Sequence, residues 1–211
     1  LRTLQDNDVI GISWGTTLSY MVAALQPRPT PGAHVVQIIG GLGPPESEVH
    51  ATDLCRRLAQ LLQCRLTLLP APGIVDHVEV KEAILSDSHV RHAFSLFSQI
   101  SVAYVGIGAP TPDSVIMRDG SILSWDMLDD LLKKGAVGDI ALRFFDAWGH
   151  PIISEVDQRV IGITLEQLRQ IKRVVGVAGG PQKIDVLRGA LRGRLINVLI
   201  TDHVTASQLV R

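Results

Sequence analysis

Short, nearly unbroken apolar runs alternate along this chain with longer stretches whose apolar residues recur at helical spacing. The runs Asp8–Ser13, His34–Gly40, Arg65–Leu69, Val102–Ile107, Ile140–Phe145, Val160–Ile163, Arg173–Ala178 and Ile196–Thr201 are predicted as strands. They are apolar at successive rather than alternate positions, as strands covered on both faces are. Helices are predicted at Thr17–Leu25, Glu48–Leu62, Glu79–Leu85, His89–Phe97, Ser124–Lys133, Leu165–Gln170, Lys183–Leu191 and Thr205–Val210. In the second of these, Leu54, Leu58, Leu61 and Leu62 fall at helical spacing and would face a sheet. Strand and helix in repeated alternation imply parallel pairing with right-handed crossovers, hence a three-layer α/β fold with a mostly parallel, Rossmann-like sheet. One segment breaks the rhythm: Arg143–Ile153 reads as two apolar runs around a Trp148-Gly149 turn, a small inserted β-hairpin that could flap over a ligand. The Pro-rich patch Pro27–Gly32 is a loop that ends the first helix, and Gly41–Pro45 is another after the second strand.

At 211 residues the chain suits one α/β domain with a sizeable core. Charged residues make up 19% and the net charge is -1, with Lys and Arg scattered, so a nucleic-acid surface is not expected here. Mean hydropathy is +0.24, yet no apolar run approaches the roughly eighteen residues a membrane span needs. Cys55 and Cys64 lack metal-like spacing and read as reduced thiols of a cytoplasmic protein. The seven histidines, His34, His50, His77, His89, His92, His150 and His203, show no ligand pattern, so neither a metal nor another cofactor is expected.

In this fold class ligands sit outside the carboxyl ends of the strands. The first strand runs into Ser13-Trp14-Gly15-Thr16-Thr17, the second into Gly40-Gly41, the fourth into Gly106-Ile107-Gly108 and the seventh into Gly179-Gly180-Pro181-Gln182-Lys183. Free N–H groups and threonine hydroxyls at the start of a helix suit an anion, most often phosphate. The alternative for the first turn is a plain connection with Thr16 as N-cap. Gly179 and Gly180 would let the backbone approach such an anion while Lys183 adds a full charge; a solvated lysine is the other reading. No phosphate-binding loop of the G-x-x-x-x-G-K-[ST] kind and no G-x-G-x-x-G is present.

Nine blocks carry a resemblance: Gly11–Leu18, Val36–Gly41, Leu69–Pro72, Val105–Gly108, Gly135–Ile140, Arg143–Asp146, Asp157–Gly162, Ala178–Lys183 and Val198–Asp202. In sequence, order and spacing they closely resemble the sugar-binding domain of SorC/DeoR-type bacterial transcriptional regulators, nearly end to end. The resemblance implies a fold similar to that of glucosamine-6-phosphate deaminase, ribose-5-phosphate isomerase and CoA transferases. It also implies a phosphorylated sugar as effector, assembly into dimers or tetramers, and operator contact only through an N-terminal helix-turn-helix that residues 1–211 do not contain. An effector would then act by its different affinity for two subunit arrangements.

Carried onto this chain, the resemblance implies phosphate contacts from Ser13, Gly15, Thr16, Thr17, Gly179, Gly180 and Lys183. It implies sugar contacts from Gln37, Gly40, Gly41, Lys81, Gly106, Gly108, Asp139 and Arg159. Gln37 could instead be satisfied inside the sheet, and Arg159 could pair with Asp157 or Asp139. Asp202 reads as the N-cap of the last helix. Some deoxyribose-5-phosphate-responsive members of the family hold an open-chain aldehyde as a lysine imine. Lys81 is the residue that would do so here, against the alternative of a solvated or phosphate-contacting lysine. The rival reading is a sugar-phosphate isomerase or deaminase with Asp139 as base, for which no paired acid is found in the sequence. CoA transfer would need a nucleophilic glutamate in a glycine-rich motif, and none stands out.

Overall fold

A computed structural model describes residues 4–42, 51–111, 114, 116–117 and 122–210. Eight strands form in chain order: β1 (Val9–Ile12), β2 (His34–Gln37), β3 (Arg65–Thr67), β4 (Val102–Gly106), β5 (Gly138–Ile140), β6 (Arg143–Phe145), β7 (Arg173–Val177) and β8 (Val198–Ile200). Around them lie α1 (Thr16–Ala23), α2 (Ala51–Leu62), α3 (Val78–Ser86), α4 (Ser88–Ser95), α5 (Trp125–Lys133), α6 (Glu155–Arg159), α7 (Leu165–Gln170), α8 (Ile184–Arg192) and α9 (His203–Leu209). The first residues of the expected helix Glu48–Leu62, with His50, and Gly43-Pro44-Pro45 lie outside the described residues.

Six strands pair in the order β3-β2-β1-β4-β7-β8, all parallel. The chain first builds outward from β1 to β3, then returns to the other side of β1 with β4. Between β1 and β4 the crossovers diverge to opposite faces and leave a crevice at the carboxyl ends. Strand alternation divides the core in two. Ile10, Ile12, Val35, Val102, Tyr104, Val175 and Val177 pack on one face; Val36, Ile38, Ala103, Val105 and Val174 pack on the other. Helix α2 shows why the helical prediction works: Ala51, Leu54, Cys55, Leu58, Ala59 and Leu62 make one buried stripe. Helix α8 buries Ile184, Val186, Leu187 and Ala190 in the same way.

Two predicted strands need correction, and one short helix is added. The expected strand Ile140–Phe145 is not continuous: it folds back at Ala141-Leu142, and β5 and β6 pair antiparallel with Ile140 opposite Arg143. Two turns thus flank β6: Ala141-Leu142 before it, and after it the expected Trp148-Gly149 turn, where Phe145 bridges Pro151 antiparallel, the Asp146 N–H donates to the His150 carbonyl oxygen and the Ile152 N–H to the Phe144 carbonyl oxygen. Ala141 and Leu142 carry φ of 54° and 60°, a left-handed conformation that apolar residues seldom adopt and that conceals the turn in sequence. The expected strand Val160–Ile163 makes only isolated bridges, Val160 to Ile74 and Gly162 to Ile39, and runs across the carboxyl end of β2 instead of joining the sheet. Helix α6, five residues capped by Ser154, was concealed by its shortness.

Candidate functional site

The crevice between β1 and β4 opens into a cavity of about 400 Å³. One wall is the start of α1. Gly15 precedes that helix at φ 137°, without any side-chain cap bond, and a Cβ placed on it would meet nothing within 4 Å. Trp14, Gly15, Thr16 and Thr17 thus line the cavity with the helix's first turn toward it. Ser13 stands behind this wall: its buried hydroxyl accepts a bond from the Gly106 N–H at 3.2 Å, tying the ends of β1 and β4 together. Gly106 is required by close approach, since a Cβ there would lie 2.9 Å from the Trp14 carbonyl oxygen.

The opposite wall comes from the hairpin. Gly108 and Asp139 exchange backbone bonds of 2.9 and 3.1 Å, which docks β5 onto the segment after β4. The Asp139 carboxylate takes the space a Cβ on residue 108 would fill, and it accepts the Leu142 N–H at 3.2 Å across the strained turn. Burial pushes its pKa up to about 6; the Lys183 ammonium and the Leu142 N–H pull the other way. Lys183, in a short 3-10 turn leading into α8, donates to the Ile107 carbonyl oxygen at 3.0 Å. Its pKa is lowered by burial and partly restored by Asp139. The cavity therefore holds a helix N-terminus, one half-buried ammonium and one buried carboxylate.

The sequence-predicted residues divide by position. Gly15, Thr16, Thr17, Gly106, Gly108, Asp139 and Lys183 line this cavity. Gly179 and Gly180 lie one turn away. The Gly180 N–H donates to the Asp202 carboxylate at 3.1 Å and to the Thr205 hydroxyl at 2.9 Å, so a carboxylate of the chain itself occupies that glycine turn. Asp202 also accepts the Thr205 N–H as N-cap of α9, and these bonds hold its pKa at about 2.

The remaining predicted residues lie elsewhere. Gln37 is fully buried, donating to the Ile39 carbonyl oxygen at 2.7 Å and accepting the Thr52 hydroxyl at 3.3 Å. Gly40 and Gly41 pack against the Ala71-Pro72 loop; a Cβ on Gly40 would be 2.3 Å from the Pro72 carbonyl oxygen. Arg159 is buried on α6, donating to the Asp76 carbonyl oxygen and the Met127 sulfur and facing Glu155 at 3.7 Å. Lys81 donates to the Gln158 carbonyl oxygen at 2.8 Å, and burial, then the nearby Arg143 guanidinium, lowers its pKa. That guanidinium pins the hairpin to the 157–163 segment through the carbonyl oxygens of Asp157, Val160, Gly162 and Ile163 and the Asp157 carboxylate.

Sequence reasoning missed Thr111, Ser114, Ala141 and Gln182, which also line the cavity. Gln182 sits inside the Gly-Gly-Pro-Gln-Lys block and was findable there, whereas Thr111 and Ser114 follow β4 in a segment without periodicity. The Ser114 hydroxyl is buried with no hydrogen-bond partner among the described residues. Among the described residues no three His, Cys, Asp or Glu side chains gather as metal ligands, and no helix is long and apolar enough to cross a membrane.

Comparison with known proteins agrees with this architecture. The Sugar-bind family model, described as "Putative sugar-binding domain", matches residues 1–211. The deoxyribonucleoside regulator of Bacillus subtilis is 35% identical over 209 residues, covering 99% of this chain and 66% of that protein. The sorbitol operon regulator of Klebsiella pneumoniae is 32% identical, covering 100% of this chain and 67% of that one. The crystal structure of the full-length sorbitol operon regulator SorC from Klebsiella pneumoniae superposes with a TM-score of 0.91 at 31% identity, over 100% of this chain and 67% of that chain. The chain thus spans about two thirds of the length of these regulators. With its six-stranded parallel sheet and its crevice at the β1/β4 divergence, it belongs to the sugar-binding domain family of SorC/DeoR-type transcriptional regulators.

Proposed function

We propose that this domain binds a phosphorylated sugar in the β1/β4 cavity and that, in a full regulator, the bound sugar biases DNA affinity. The observation that carries this reading is the shared cavity: the start of α1 and the Lys183 ammonium both face it. A helix N-terminus and a lysine together favour a dianion. Asp139, Gln182, Thr111 and Ser114 are the polar residues left to meet hydroxyls, and the cavity volume falls in the roughly 300–1,000 Å³ range of small-molecule sites. In this reading Gln37, Gly40, Gly41, Lys81 and Arg159 support the fold around the site rather than touch the ligand. Ser13, Gly179 and Gly180 shape its walls from behind. The domain also self-associates, so that ligand binding can alter how subunits present a DNA-binding segment.

The test is a thermal-shift panel of pentose and hexose phosphates beside the same sugars unphosphorylated. A ligand at a hundred times its Kd adds about 2.7 kcal/mol of stability. Stabilisation by phosphorylated sugars alone is expected; equal stabilisation by the free sugars would remove the phosphate from the proposal. Asp139 beside a lysine also favours a second reading, aldose–ketose isomerisation with Asp139 as base. Turnover of any stabilising sugar phosphate by the purified chain would establish that reading.

A further inference from the structure

The two edges of the sheet are built differently. At one, β3 is three residues long and begins with exposed Arg65, a charge of the kind that blunts a free strand edge. At the other, β8 reads Val198-Leu199-Ile200 with no charge at all, and Val198 and Ile200 are 41% and 46% exposed. Val204 and Val210, just beyond, are 50% and 87% exposed. Four of the large exposed apolar residues are thus gathered on and after one uncharged edge, where scattered single exposures would be unremarkable.

The backbone of β8 is ready for a further strand. Ile200 turns its carbonyl oxygen to β7, where it accepts the Ala178 N–H at 3.2 Å. By strand alternation the N–H and C=O of Leu199 point to the open side. An antiparallel mate centred on Leu199 would let the two Leu199 residues exchange both bonds. The same register sets Val198 of each copy directly opposite Ile200 of the other, twice, on one face. Such a contact is self-complementary, as a twofold requires.

The charges beside the strand fit the same register. Exposed Lys172 and Arg194 lie at the amino end of β8, and the Asp202 carboxylate lies at its carboxyl end. Antiparallel pairing brings the basic end of each strand to the acidic end of its mate. A parallel mate of the same chain would set basic end against basic end and acidic against acidic.

We propose that two copies of this chain pair through β8 in an antiparallel register centred on Leu199, joining two six-stranded sheets into one of twelve strands. This gives a surface to the self-association of the proposed function and owes nothing to the ligand reading.

The test uses the whole 211-residue chain with Cys64→Ser, since Cys64 is partly exposed while Cys55 is buried. In an H-bonded antiparallel pair the Cα atoms lie about 5.5 Å apart, within disulfide reach. Leu199→Cys is expected to give a covalent dimer under mild oxidation, and Ile153→Cys, at an exposed site away from this edge, none. In the chain without added cysteines, sedimentation velocity should show a dimer whose Kd rises at least tenfold on Ile200→Lys, with an unchanged circular-dichroism spectrum. Should the chain sediment as a monomer at tens of micromolar, both self-association and the β8 interface are wrong. A dimer that neither cross-links at residue 199 nor responds to Ile200→Lys leaves self-association standing and overturns the β8 interface.

Discussion

Two glycine-bearing strand ends, those of β2 and β1, look alike in sequence and do opposite things in the fold. After β2, Gly40 and Gly41 let the Ala71–Gly73 loop and the Val160–Ile163 segment close onto the strand; the Gly40 N–H donates to Ile161 and the Gly41 N–H to Ala71. After β1, Gly15 opens onto empty space and the first turn of α1 faces a cavity. A glycine at a strand end marks a close approach without saying by what. At β2 the approaching group is the protein's own backbone, while at β1 the space beside the glycine stays open to the cavity.

Substituting the two kinds of position should separate them. The largest effect is expected from Gly40→Ala. Its methyl group would meet the Pro72 carbonyl with no flexible side chain to yield, at a cost of about 3 kcal/mol in urea unfolding. Retained stability would mean that the β2 end is as open as the β1 end. Next is Asp139→Asn, in the wall of the cavity. The folded state holds the Asp139 proton up to about pH 6, against an ordinary value of 3.8. Across that window the unfolded chain has released a proton that the folded chain keeps, so stability falls as pH rises from about 4 and levels off above about 6. The group's share is up to about 3 kcal/mol. Unfolding midpoints of wild type and Asp139→Asn should therefore diverge between these pH values in favour of the variant; parallel curves would place Asp139 in water.

Smallest in free energy is Lys183→Ala, at about 2 kcal/mol. It should weaken a phosphorylated ligand about thirtyfold in calorimetric titration and leave an unphosphorylated one unaffected. Equal affinity for the phosphorylated ligand would move the anion away from this end of the sheet.

Much of the fold was legible because its rules are local. The stripe of α2 and the doubly apolar strands follow from periodicities of 3.6 and from burial on both faces. The Ala141-Leu142 turn was not legible, because its left-handed residues are ordinary in type and are held by the Asp139 carboxylate and by Arg143 anchored on the 157–163 segment. The candidate site was half legible for the same reason. Gly15-Thr16-Thr17 and Lys183 carry their chemistry openly. Gln37 and Arg159 look equally suited in sequence, yet the Gln37 amide is taken up by Ile39 and Thr52, and the Arg159 guanidinium donates to Asp76 and Met127, its buried Nε 3.7 Å from Glu155 without a hydrogen bond among the described residues.

By itself, then, the sequence determined the layers, the parallel pairing and which turns can reach the carboxyl ends of the strands. Hydrophobic period and backbone freedom are properties of neighbours along the chain. Only the tertiary structure decided which glycines face a cavity and which face a loop. It also decided that the Asp202 carboxylate fills the Gly179-Gly180 turn and that Asp139 and Lys183 line one cavity. Those outcomes depend on which groups, distant along the chain, the fold brings together.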